Sequence, residues 1–174
     1  MNSKIYQFFN TLYDFLKVSI YWWIYLFRGA VVYGFLPAGC ALVHTVDELL
    51  NKKENGEVKE LFKKYYNQFA HYKGPSFLFS ITLVLSWFLL FILNNVNGTA
   101  ASLGVIVVIY VMALTLMVYS YLLNFLILKG ITFKQALGRA YIAVFKMPKA
   151  TFTILLVLLV MAAAANINFA FFFF

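Results

Sequence analysis

From Gly74 through Leu128 the chain carries no Asp, Glu, Lys or Arg, and Ala150 through Phe174 are also free of charge. Such stretches belong in lipid, because a membrane-crossing helix needs about 20 mainly apolar residues and cannot leave charges in hydrocarbon. The first stretch holds two spans, expected over 76–93 and 100–128, on either side of the polar turn Asn94-Asn95-Val96-Asn97-Gly98-Thr99. The second holds one more, over 150–174. Hydrophobic residues make up 64% of the chain, against roughly 45–50% in soluble domains. The expected fold class is therefore all-α: a polytopic transmembrane helical bundle of about four full spans, a short return helix and two cytoplasmic amphipathic helices.

At 174 residues the chain is one membrane domain, 1–174, with no room for a further soluble domain. Its net charge of +8 does not call for nucleic acid, since no basic stripe on a nucleic-acid-binding pattern accompanies it. Basic residues near the ends of apolar spans mark cytoplasmic loops instead. The single Cys40 excludes an intramolecular disulfide and any multi-cysteine metal site, leaving a small packing residue. Residues 1–17 carry Asp14 and Lys17 and no small-residue cleavage site, so they do not read as a removable signal peptide.

The basic residues form two clusters, Lys52, Lys53, Lys59, Lys63, Lys64, Lys73 and Lys129, Lys134, Arg139, Lys146, Lys149, and the 94–99 turn has none. The positive-inside rule puts both clusters and the N-terminus in the cytoplasm, the turn and the C-terminus outside. Residues 8–35 then read as one long first span with Lys17 and Arg28 along it. Gly34, Pro37 and Gly39 interrupt it, since proline disfavours helical geometry in its predecessor and can open the next helix. A return helix over 37–51 leads back to the first basic cluster, and Ala30, Gly34 and Ala38 add a small-xxx-small spacing.

Two amphipathic helices are expected along the cytoplasmic surface. In 57–72, Val58, Leu61, Phe62, Tyr65, Phe69 and Tyr72 share a face opposite Lys59, Glu60, Lys63 and Lys64. In 132–145, Thr132 and Gln135 suggest a capping box, and Phe133, Ala136, Leu137, Ala140, Tyr141 and Val144 form the stripe. Phe62, Tyr65, Phe133, Leu137 and Tyr141 are the expected contacts to the bundle or to a partner. Each helix runs into Lys-x-Pro and then a span, at Lys73-Gly74-Pro75 and Lys146-Met147-Pro148, a faint internal repeat that common physical demands would also produce.

The segment Gly34-Phe35-Leu36-Pro37-Ala38-Gly39-Cys40-Ala41-Leu42, the following Val58-Lys59-Glu60-Leu61-Phe62 and the Lys134-Gln135-Ala136 helix together resemble the YesL-like family. That resemblance spans nearly the whole chain, although relatives usually continue beyond Phe171-Phe172-Phe173-Phe174. It implies a bacterial cytoplasmic-membrane protein without an established biochemical activity, in a setting of carbohydrate uptake and glycan degradation.

All six carboxylates, Asp14, Asp47, Glu48, Glu54, Glu57 and Glu60, precede residue 61. The later spans therefore lack the acids that usually mark proton and ion paths, and Asp14 reads most simply as an interfacial partner of Lys17. Arg28 lies inside an apolar run, where a charge costs at least about 2.5–3.5 kcal/mol without water or a partner. It either lines a polar cavity that takes an anionic or carbonyl-rich ligand, or snorkels to outer headgroups. Trp22 and Trp23 belong to an aromatic-dense stretch that could stack on sugar rings or simply pack and anchor. His44, Asp47 and Glu48 share a helix face but read as a solvated helix end, since metal binding would need more ligands. No phosphate loop, nucleophile elbow or metal motif is present, so neither an enzyme nor a cofactor is expected.

The leading expectation is a non-catalytic accessory subunit in carbohydrate uptake, associated with the membrane subunits of an ABC-type importer. A small independent transporter or channel around Arg28, homo-oligomeric if so, is the alternative, and a membrane sensor or scaffold the third. Membrane lipids are partners in every case.

Overall fold

The computed structural model describes residues 2–51, 57–96, 98–128 and 131–167, which form seven α-helices, one 3-10 turn and no strand. They fall into two compact units, one ending at Phe77 and the other beginning at Leu78. Among the described residues, two helical stretches are long and apolar enough to cross a membrane, Val58–Asn94 and Thr99–Leu126. The pair Phe133–Lys146 and Pro148–Val157, bent by 93°, would make a third.

In the first unit α1 (Asn2–Arg28) and α2 (Phe35–Asn51) form a hairpin, and α3 (Val58–Phe69) packs on both. The first helix stops at Arg28 and does not continue to residue 35 as its composition suggests. Ala30 N–H donates to Phe27 O at 3.0 Å and Val31 N–H to Leu26 O at 2.9 Å, the paired bonds of a Schellman stop with Ala30 at the left-handed position, φ +53°. Val31 is also left-handed, at φ +58°, an uncommon state for a β-branched residue. The break thus lies at 29–34. Gly34 caps the return helix, its carbonyl accepting from Ala38 N–H at 2.8 Å. Pro37 and Gly39 are buried inside α2, where a proline in the first turn forfeits no intrahelical bond. Gly29 and Gly34 touch: a Cβ on Gly29 would collide with the Gly34 backbone. The small residues serve this one crossing, not a stripe of Ala30, Gly34 and Ala38 along a helix.

Ser76, fully buried at the start of α4 (Lys73–Asn94), fastens the turn. Leu36 N–H donates to its Oγ at 3.0 Å, and that hydroxyl donates to Val32 O at 2.8 Å. Ser76→Ala should therefore remove both of these bonds and cost about 1–3 kcal/mol, read as a lower midpoint in a thermal unfolding series in detergent. An unchanged midpoint would mean that the turn holds without the hydroxyl.

The stripe on α3 has the expected period, with Val58, Leu61, Phe62, Tyr65 and Phe69 buried and Tyr66 added to them. It is covered by α1 and α2 and not by a membrane surface. Phe62 has no exposed surface and sits 5.3 Å from the Tyr25 ring centroid and 6.4 Å from that of Tyr21. Tyr25 also meets Tyr66 at 4.7 Å, so α1 and α3 run in the same direction. The helix continues through the 3-10 turn Ala70–Tyr72 into α4.

In the second unit the rest of α4 is followed by α5 (Thr99–Leu126), α6 (Phe133–Lys146) and α7 (Pro148–Ile167). Hydroxyls within the apolar helices bond to carbonyls one turn back, as Thr82 to Leu78 O, Ser86 to Thr82 O and Thr115 to Val111 O, each at 2.8 Å. That satisfies them without water, as lipid requires. The capping box at Thr132 and Gln135 is present. The buried face of α6 is Ala136, Ala140, Ala143 and Val144, while Phe133 and Leu137 are half-buried and Tyr141 is exposed. Thr151 braces the bend before α7, donating to Val144 O at 2.9 Å and accepting from Tyr121 OH at 3.0 Å. The two Lys-x-Pro sites therefore differ: the helix passes through Pro75 unbroken and turns sharply before Pro148. The basic residues 52, 53 and 129 and the terminal run 171–174 lie outside the described residues.

Candidate functional site

The end of α1 and the polar edge of α3 bound a cleft of about 260 Å³, lined by Tyr25, Arg28, Gly29, Lys63, Tyr66, Asn67, Ala70 and Lys73. Its position follows from the helix stop. Because α1 ends at Arg28 and runs alongside α3, that side chain lines the same cleft as Lys63 and as Lys73, the first residue of α4. The Arg28 guanidinium carbon lies 5.9 Å from the Tyr25 ring centroid. None of the lining residues is acidic. Arg28 is thus exposed at a helix end, in a cleft shared with residues of the first basic cluster, and not in the middle of a continuous apolar helix. Trp22 and Trp23 do not line the cleft. They pair edge to face at 4.8 Å, Trp23 stacks on Phe27 at 5.9 Å, and Trp22 packs against the core.

A second polar group is buried between α2 and α3. Tyr65 OH donates to Glu48 Oε1 at 2.7 Å, and the His44 ring stacks on Tyr65 at 3.8 Å and 10°. Glu48 is only 9% exposed. Glu48 Oε2, Thr45 Oγ1 and His44 Nδ1 have no hydrogen-bond partner among the described residues. The expectation of a solvated helix end at His44, Asp47 and Glu48 is thereby corrected for Glu48, while Asp47 turns to Asn51, whose Nδ2 donates to Oδ1 at 2.8 Å. Among the described residues no group of His, Cys, Asp and Glu could hold a metal. The signal for Glu48 was in Tyr65, one of the hydroxyl-bearing members of an apolar stripe, but it lies 17 residues away. Tyr65→Phe should cost about 1.5–3 kcal/mol, the worth of a hydrogen bond to a charged group, whereas the double variant Tyr65→Phe/Glu48→Leu should recover most of it by removing the buried charge. Thermal midpoints decide this, and no recovery in the double variant would mean that the Glu48 bond is not what Tyr65 contributes.

Another cleft gathers Asp14, Lys17, Tyr21, Leu49, Glu57, Val58 and Lys59. There the Lys17 ammonium sits 4.2 Å from the Tyr13 ring centroid and does not make the expected pair with Asp14. Of the expected partner contacts, Phe62 and Tyr65 are spent inside the first unit, and Tyr141 remains open on α6.

No curated protein and no solved structure matches the chain. Residues 15–93, just under half of it and including Arg28, Glu48, Lys63, Tyr65 and Lys73, match the family model described as "Protein of unknown function, DUF624", which is the YesL-like family.

Proposed function

We propose that this protein is a non-catalytic membrane subunit accessory to carbohydrate uptake in a bacterial cytoplasmic membrane, docking on the membrane subunits of an ABC-type importer. The observation that carries the docking is the outer face of α1. Tyr6, Phe9, Tyr13, Leu16, Ile20, Ile24 and Phe27 recur at intervals of three and four residues, and each is at least 43% exposed. A stripe of that spacing fits against another apolar helix, and neither α2 nor α3 covers it. The carbohydrate setting is what the resemblance to the YesL-like family implies, and the spans free of carboxylates favour assistance over autonomous proton-coupled pumping.

The topology that goes with this reading keeps the N-terminus and residues 52–73 and 129–149 in the cytoplasm, with 94–99 and the C-terminus outside. Arg28 shares a cleft with Lys63 and Lys73, so the α1–α2 turn belongs on their side. Recovery from native membranes in mild detergent tests the assignment. Importer membrane subunits should co-purify with the wild-type chain and be lost with Ile20→Lys. Recovery of the chain only with itself, or importer recovery indifferent to Ile20→Lys, would overturn it.

A further inference from the structure

The geometry points to the Arg28–Lys63–Lys73 cleft as a binding site for a phosphate group, carried either by a lipid headgroup or by a small soluble phosphate ester. Three cationic side chains line one cavity, none of its walls is acidic, and none of the three makes an ion pair among the described residues. Like charges gathered around one cleft repel one another, and an anion bound among them offsets that repulsion.

The donor set selects the kind of anion. Arg28 offers a planar fork suited to two oxygens of one group, and the lysines and the Asn67 amide supply further donors from the opposite wall. One guanidinium would satisfy a carboxylate, whereas this many donors around one point suits the several oxygens of a phosphate. The opposing term is the negative end of the α1 dipole, worth about half a charge, and the Schellman bonds already occupy the Leu26 and Phe27 carbonyls. Space is adequate: a cleft of about 260 Å³ has room for a phosphate with a short ester. Its level is also informative, because Lys73 is the last charge before the uncharged run that begins at Gly74, where bilayer phosphates lie.

The test uses the full chain purified in a neutral detergent. Dioctanoyl phosphatidylglycerol, dioctanoyl phosphatidylcholine, glycerol 3-phosphate and inorganic phosphate are titrated separately, with bound ligand counted by native mass spectrometry and affinity read from thermal shifts. Saturable binding of one phosphatidylglycerol, preferred over the zwitterionic lipid and not displaced by the soluble phosphates, assigns a lipid source. Saturable binding of glycerol 3-phosphate or inorganic phosphate that displaces the lipid assigns a soluble one. In either case Arg28→Gln should weaken binding at least about tenfold, the order expected for a lost charge-assisted bond. Arg28→Lys should fall between, and Lys134→Gln on α6 should change nothing. The exposed Lys63→Gln and Lys73→Gln variants, checked for an unchanged unfolding midpoint without ligand, serve if Arg28→Gln folds poorly. Wild-type affinity for every probe in Lys63→Gln/Lys73→Gln, or an equal loss with Lys134→Gln, would overturn the site.

Discussion

Phe62→Glu is expected to abolish folding of the first unit, so that the variant fails to give a monodisperse peak in detergent and is cleared from the membrane. Phe62 has no exposed surface and is packed between the Tyr21 and Tyr25 rings. Truncating such a ring alone costs about 3–5 kcal/mol. A carboxylate in its place adds several more, because no described neighbour in that core is cationic. The sum is comparable with the roughly 5–15 kcal/mol that holds a whole domain together. Leu137→Glu on the half-buried side of α6 should be clearly milder, and Lys63→Glu, on the open edge of α3, should leave the fold intact. Phe62→Glu protein that is as monodisperse and heat-resistant as the wild type would show that α3 does not depend on the α1–α2 hairpin.

The uncharged helices, the period of α3 and the Thr132 cap were legible because each is local: charge, spacing and capping chemistry act within one or two turns. The end of α1 was not, although Gly29 stands at it, because the left-handed position of the stop is filled by Ala30 and followed by left-handed Val31, neither of which advertises that geometry. Ser76 and Glu48 escaped for a different reason: their partners are 40 and 17 residues away, and nothing local marks a serine or glutamate as buried. On α6 the stripe departs from its expected membership at Tyr141. Helical spacing put Tyr141 in one stripe with Ala136, Ala140 and Val144, and those three are buried, but Tyr141 stays outward with Ile142 and Phe145. Among lipid, large apolar side chains gain nothing by facing inward and small ones permit close approach. The candidate cleft follows directly from the unexpected helix stop, which is why Arg28 could be singled out from sequence but its companions Lys63 and Lys73 could not.

In intact cells an impermeant thiol reagent is expected to label a cysteine at Val96 and to leave cysteines at Tyr33, Lys63 and Lys134 untouched until the membrane is opened. The background for this test is Cys40→Ala, a change within a buried site. Val96 and Lys134 report the turn and the second basic cluster, as the charge pattern requires. Tyr33 is the decisive position. A first helix that crossed the membrane would put the 29–34 turn outside while Lys63 stayed within, so the two would label oppositely. The structure joins them: Ser76 holds Val32 and Leu36 beside the start of α4, Tyr33 stacks on Phe77 at 5.5 Å, and Arg28 shares its cleft with Lys63. Tyr33 and Lys63 must then report the same compartment, and opposite labelling would refute the packing of α1 on α3. Labelling of both from outside would keep that packing but reverse the assignment of the first basic cluster, moving the cleft to the outer face where a phosphate from the cytoplasm could not reach it.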